Sequence, residues 1–365
     1  MALILTFLGK GGTGRTTVAV ATAKRYAQEG KRVLLASLDT SPALSLFLGE
    51  TVGSQPTDIA PNLKATYLKS AQLLEESWEE LKTLEAQYVR TPFFKNVYGQ
   101  ELGVLPGMDS ALALNAIRQY DASGAYDVII YDGISSPETL RMLGMPEILS
   151  WYVRRFRQVF LDSDFWKAIS PFAQPVSSAV LSVDLSADNF TQPTNQVNNI
   201  LDDGKAAVAD PNRVMAYLVT TADDISLATA RYLWGSAQQV CLTVGGVILN
   251  QANLTDEIAQ SFDPLNIHSV PKIPAQDWQI LTQALPDFSA SATTAPRSIS
   301  IDVAKRQVSL FLPSFDKKQI KLTQYGPEVT IEAGDQRRNI FLPDSLRGKP
   351  VTGAKFQNNS LIISF

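Results

Sequence analysis

At 365 residues the chain is long enough for about two domains and a large core. Apolar residues make up 45% and charged residues 19%, an ordinary globular composition that excludes a mostly disordered or fibrous chain. The formal net charge of -4, from 32 Lys+Arg against 36 Asp+Glu, gives the molecule as a whole no drive toward nucleic acid or anionic lipid. Cys241 and His268 are the sole cysteine and histidine. They leave almost nothing for zinc, haem or iron-sulfur chemistry, or for a Ser/His/Asp or Cys/His hydrolase. His268, before Pro271, reads as a strand or loop residue without chemistry. Cysteine scarcity suits a reducing, cytoplasmic location. No charged leader precedes the first apolar run, and no segment approaches about 18 uninterrupted apolar residues, so neither a signal peptide nor a membrane span is expected.

In chain order, Ile4 to Leu8 is a short apolar run ending in a glycine-rich turn, and Thr16 to Glu29 is an alanine-rich helix stopped by Gly30. Arg32 to Ser37 and Tyr126 to Tyr131 are further apolar strands, each running into an acidic residue, Asp39 and Asp132. Val214 to Val219 and Val244 to Leu249 complete the set. Strands apolar on both faces and separated by helices predict a parallel sheet covered on both sides. Residues 1–285 therefore read as one doubly wound α/β domain, with helical insertions over about 70–119 and 150–205.

Residues 286–297 are small, polar and unpatterned, and read as a linker. From 298 to 365 apolar residues alternate: Val308, Leu310 and Leu312, then Ile320 and Leu322, Val329 and Ile331, Ile340 and Leu342, and Leu361, Ile363 and Phe365. Period two with turns between predicts a small antiparallel β-sandwich. This segment is also basic, net +4, which leaves -8 for the remainder.

Gly9-Lys10-Gly11-Gly12-Thr13-Gly14-Arg15-Thr16-Thr17 lies between the first strand and first helix, where such folds hold phosphates. Glycines let successive N-H groups face one concavity, the helix N-terminus adds positive potential, and Thr16 stands where a hydroxyl ligates magnesium. Gly9, Gly14 and Thr16 fit GxxxxGK[ST], but Arg15 replaces the lysine. An arginine fork is larger and differently aimed than an ammonium, so phosphate binding is expected to survive better than catalysis.

Lys10 followed by Gly-Gly-x-Gly resembles the deviant Walker A ATPases, in the branch of the arsenite-pump and tail-anchored-protein targeting ATPases. That resemblance implies an ATP- and Mg2+-dependent homodimer, with Lys10 reaching the partner's nucleotide and Gly11, Gly12, Thr13, Gly14, Arg15, Thr16 and Thr17 around the phosphates. It gives catalytic roles to Asp39, Lys10 and Arg15. Asp39, followed by Leu44, Ser45 and Gly49, matches the switch I aspartate that orients water, although the family's Asp-Pro-Ala-His-Asn is here Asp39 to Ala43. Asp132, with Thr139-Leu140-Arg141, resembles the Walker B and switch II segment Asp-Thr-Ala-Pro-Thr-Gly-His-Thr-Leu-Arg, with drift over Gly133 to Glu138. It implies that Asp132 and Thr16 serve magnesium. Leu105 to Asp109 matches a Pro-Gly-x-Asp turn. Asn250 matches an adenine-binding asparagine, and Pro271 a base-flanking loop. The C-terminal part resembles the α-crystallin-like domain fused to some members, through Arg337 to Pro343 and Val351 to Phe356.

Two insertion stripes remain. Leu73, Leu74, Trp78, Leu81, Leu84 and Tyr88 form one, and the aromatics Trp151, Tyr152, Phe156, Phe160, Phe165, Trp166 and Phe172, interleaved with arginines, form the other. Each reads as helix-to-helix core or, by the resemblance, as a groove for a protein client. A non-hydrolysing nucleotide-bound scaffold is the rival reading, favoured by Arg15, Ala43 and the drifted switch II. A DNA- or membrane-partitioning ATPase is disfavoured by the charge and by the β-domain end.

Overall fold

The computed structural model describes residues 1–76, 107–162, 195–272 and 277–365. Among them, β1 (Leu3–Leu8), β2 (Val33–Ser37), β3 (Thr57–Ala60), β4 (Leu63–Tyr67), β5 (Val128–Asp132), β6 (Val214–Thr220), β7 (Thr243–Asn250) and β8 (Ile267–Val270) form one sheet. Its order is β3-β4-β2-β5-β1-β6-β7-β8. Every pairing is parallel except that of the edge strand β3 with β4. β2, β5, β6 and β7 are buried along their whole length, which is why they are apolar on both faces.

Helix α1 (Arg15–Gln28) opens at Gly14 and packs against the sheet through Val18 to Ala23. Its alanines bring the helix axis close to the strands, fixing the distance from the glycine loop to the strand ends. α2 (Ala43–Leu48) ends at Gly49 in the left-handed region. Residues 70–76 are helical, and Leu73 and Leu74 pack inward. Trp78, Leu81, Leu84 and Tyr88 lie outside the described residues.

The insertion boundaries expected from sequence shift. α3 (Met108–Ala122) is a sheet-packing helix whose Ala113, Ala116 and Ile117 meet Leu8, Ala36 and Tyr131, so 107–119 belong to the main domain. α4 (Ser136–Asp162) runs unbroken through residue 150, with Pro146 inside it. α5 (Asn195–Ala209) packs along α4. Of the aromatic stripe, Trp151 is half-buried and Tyr152 exposed. The side chains of Phe156 and Phe160, and residues Phe165, Trp166 and Phe172, lie outside the described set.

α6 (Asp224–Gln239), α7 (Asp256–Ser261) and α8 (Trp278–Ala284) follow. The stretch expected as a linker is instead ordered: α9 (Phe288–Thr294) lies on the main domain. Phe288, 1% exposed, packs among Phe7, Tyr26 and Tyr217, and that single apolar anchor makes a small-residue helix part of the sheet's cover. β8 contains His268, half-buried, whose imidazole is held below its ordinary pKa by that burial.

The C-terminal strands are β9 (Ile299–Asp302), β10 (Gln307–Phe311), β11 (Ile320–Tyr325), β12 (Glu328–Ala333), β13 (Gln336–Phe341), β14 (Gly353–Gln357) and β15 (Ser360–Ser364). A four-stranded sheet, β14-β15-β10-β9, faces a three-stranded one, β11-β12-β13. Val308, Leu310, Val329, Ile331, Ile340 and Ile363 interdigitate between them, the alternation made physical. β9 and β14 carry too few apolar side chains to announce themselves.

Candidate functional site

The glycine loop leaves the carboxyl end of β1 and is pinned on three sides. A Cβ on Gly9 would lie 2.1 Å from the Val219 carbonyl oxygen, so the loop's first residue must be glycine for β1 and β6 to approach. Gly12 and Gly14 take positive φ, and Gly14, at φ +96°, starts α1. The Gly9 N-H donates to Ser136 Oγ (2.8 Å) and the same hydroxyl donates back to the Gly9 carbonyl (2.9 Å). Thr13 is buried, its hydroxyl donating to the Lys10 carbonyl (2.8 Å), so its side chain shapes the loop from within.

Asn250, at the end of β7, is buried and its Nδ2 donates to the Thr13 carbonyl (2.8 Å). One of its two amide N-H donors thus braces the glycine loop, which leaves the second N-H and Oδ1 for other partners. Pro271 is exposed beyond β8, and the loop it begins passes into residues 273–276, outside the described set.

Lys10, Gly11 and Gly12 are exposed, and Thr16 and Thr17 half-buried. Arg15, expected beside the phosphates, is half-buried. Its Nη1 and Nη2 donate to the successive carbonyls of Gly133 (3.2 Å) and Ile134 (2.9 Å), just past Asp132. Burial pulls its guanidinium below the ordinary value, opposed by the nearby carboxylates of Asp132 and Asp39.

Asp132 ends β5 and is 4% exposed. Burial pushes its carboxyl up to about 6, and Asp39 adds to the rise, while hydrogen bonds from Thr16 and Ser37 and the Arg15 charge oppose it. The Thr16 hydroxyl and Asp132 carboxylate thus share one spot beside the loop, a hard-oxygen pair suited to magnesium. Asp39, exposed, accepts the Ser41 N-H (2.9 Å) and follows Leu38, whose N-H donates to the Asp132 carbonyl (3.1 Å). Switch I is braced by Tyr67, whose hydroxyl donates to the Ser41 carbonyl (2.8 Å).

Sequence reasoning missed Ser136, Tyr67 and Asp223. Asp223 caps α6, accepting from Ser226 and Thr221; these bonds hold its carboxyl down to about 2, with a smaller share from Lys10. Lys10 therefore has an acidic neighbour in its own chain. Ser136 had one readable signal: it stands where the switch II pattern has threonine, so the hydroxyl is kept.

Comparison with known proteins gives the family. Residues 2–271 match the family model of the anion-transporting ATPases, and residues 304–365 that of the HSP20-like domain found in ArsA. A protein of Prosthecochloris vibrioformis named as an arsenical pump-driving ATPase is 27% identical, covering 99% of this chain and 95% of its own. A similarly named protein of Aquifex aeolicus is 23% identical over 99% of both chains. ATPase GET3 of Malassezia globosa is 23% identical over 67% of this chain and 70% of its own.

Proposed function

The chain belongs to the anion-transporting ATPase family, and from that premise we propose that it is a magnesium-dependent ATPase working as a nucleotide-gated homodimer on a protein client. The observation that carries this is the convergence, at one end of the sheet, of the glycine loop, Thr16 against Asp132, and Asp39 beside them.

The chemistry is phosphoryl transfer to water. Backbone N-H groups of Gly11 to Thr17 and the start of α1 receive the phosphates, helped by the helix dipole. Thr16 and Asp132 are the residues that would hold magnesium, which when bound neutralises charge on the phosphate oxygens. Asp39, on the exposed side of the Thr16 and Asp132 pair, orients the attacking water. Pro271 flanks the base.

The dimer reading rests on exposure. Leu46, Ile134, Ile225 and Leu254 are large apolar side chains left in solvent. They lie in the segments that follow β2, β5, β6 and β7, around the loop where Lys10 also stands exposed. A second copy covering this end would bury them and bring Lys10 to the partner's nucleotide. The insertions are the proposed client surface. The described residues contain no helix long and apolar enough to cross a membrane, and we place the protein in the cytoplasm.

Turnover measured against protein concentration tests the assembly. With Lys10 acting across the interface, specific activity falls as the protein is diluted below its dimer dissociation constant, and Lys10→Ala removes that dependence; full turnover at concentrations where sedimentation with nucleotide shows only monomer would exclude the dimer mechanism. The rival is a nucleotide-bound scaffold without hydrolysis, favoured by one observation, the hydrogen bonding of Arg15 to the Gly133 and Ile134 carbonyls.

A further inference from the structure

We propose that Arg15 and Ser136 are positioning residues forming a two-point latch, which holds switch II against the phosphate loop and so sets the geometry of hydrolysis. The inference rests on the ATPase reading above and deepens it.

The two contacts join opposite ends of the same two segments. At one end, Ser136 Oγ makes both possible hydrogen bonds with Gly9, accepting from its N-H and donating to its carbonyl. Only a hydroxyl can play both parts at one atom. Ser136 is 2% exposed, so alanine there would strand a buried N-H and a buried C=O together. At the other end, the Arg15 fork spans two consecutive carbonyls of switch II. An ammonium at the end of a lysine stem is a point donor and cannot reproduce that span. Gly133 between them is sterically fixed, because a Cβ there would lie 2.2 Å from Thr139 Oγ1. The residues from Gly133 to Ser136 are thus tied at the front to the start of α1 and at the back to Gly9, just past the end of β1. Switch II cannot shift without moving the loop that receives the phosphates, and Asp132, which heads the segment, is carried with it.

This accounts for the arginine. It is not a weaker copy of a phosphate-binding lysine; its fork holds switch II in register, and its charge lies near both Asp132 and Asp39.

The test uses the full chain in four variants, Arg15→Lys, Arg15→Gln, Ser136→Ala and Ser136→Thr. Steady-state phosphate release is measured with equilibrium binding of a fluorescent ATP analogue, and hydrogen exchange of residues 133–140 is followed with that analogue bound. The latch predicts that Ser136→Ala lowers kcat by about 10²-fold, the scale of a slight misplacement, with binding changed by less than about threefold. Ser136→Thr restores kcat because the hydroxyl returns. Arg15→Lys and Arg15→Gln both lower kcat and, like Ser136→Ala, raise exchange over 133–140 by about tenfold, the effect of losing a hydrogen bond. If Arg15→Lys instead raises kcat and tightens binding, the arginine is a displaced phosphate ligand and the latch is wrong. Unchanged exchange in the folded variants overturns it as well. Should wild type bind nucleotide without turning it over, the hydrolysis reading fails while the exchange measurement still decides the latch.

Discussion

Gly14 carries three demands at once: it starts α1, it takes φ +96°, and it leaves room for Asn250, whose Nδ2 would lie 2.4 Å from an added Cβ. Gly14→Ala must therefore meet backbone strain of about 1–3 kcal/mol and push the Asn250 amide off the Thr13 carbonyl. We expect a lower midpoint in denaturant unfolding and loss of nucleotide binding; a variant with wild-type stability and affinity would show that the loop is softer than its contacts imply. The residues of the glycine loop were legible in the sequence because their spacing alone encodes a phosphate cradle between strand and helix. The braces were not. Ser136 meets Gly9 across 127 residues, and Asn250 meets Thr13 across 237. A side chain whose partner is a distant backbone atom leaves no local pattern. Asn250 stands out in the sequence only by its match to an adenine-binding asparagine, and its bond to the Thr13 carbonyl has no local signal.

Two elements show how burial and charge hold the parts in place. Phe288 is the buried anchor of α9, packed edge-on to Tyr217 with ring centres 4.7 Å apart. Phe288→Ala should cost about 3–5 kcal/mol in unfolding free energy; a loss under 1 kcal/mol would mean that α9 is dispensable to the core. The helix escaped notice because its other residues are small and polar, and one aromatic makes no periodicity. Asp127 joins the starts of β2 and β5: it accepts from the Arg32 N-H (2.8 Å) and from its Nε (3.2 Å) and Nη2 (2.7 Å), while Nη1 donates to the Gly124 carbonyl (3.0 Å). The Arg32 hydrogen bonds hold its carboxyl down to about 2. A depressed acid stabilises the fold above its unfolded pKa, about 3.9, and loses that contribution as pH falls through about 2. Asp127→Asn should thus unfold more easily than wild type at neutral pH, by a small margin because the pair is exposed, and the two should converge by about pH 2. A gap that widens on acidification would contradict the assignment. Of the parallel strands, β1, β2, β5, β6 and β7 were legible because continuous apolar runs encode burial on both faces, whereas β4 and β8, short and mixed with polar residues, were not. β3, polar and at the edge, was not.

At the scale of the whole molecule, the β-sandwich docks on the helix that leaves switch II. Arg141 pairs with Asp335, Trp151 Nε1 donates to Glu328 Oε2 (2.9 Å), and the Arg337 guanidinium stacks 5.4 Å from the Trp151 ring centre. On α6, Gly235 lets Pro313 and Phe315 approach, and Tyr232 accepts the Asp335 N-H (3.1 Å). Arg338 is the buried contact, donating to the Gln238 carbonyl (3.1 Å) near the end of α6. It shares the inward face of β13 with Ile340 by register, a charge where alternation asks for an apolar side chain. Docking explains it: the arginine reaches past the sandwich core to cap a helix end. Arg338→Met keeps the stem and removes the donor, so it should cost about 1–3 kcal/mol, whereas Arg141→Ala, at an exposed pair, should cost under about 1 kcal/mol. Equal losses from the two in denaturant unfolding would contradict this ranking. The sandwich was legible from its period-two texture, but its docking was not, since the interface is assembled from single residues of α4, α6 and the sandwich that are far apart in the chain and follow no common period.

The most direct measurement is phosphate release alongside calorimetric ATP binding, with magnesium, for wild type and Asp39→Asn. The prediction is that both bind ATP, that wild type releases phosphate, and that Asp39→Asn slows release by about 10²-fold or more without a matching loss of affinity. Wild-type binding without release, or release unaffected by Asp39→Asn, would contradict it.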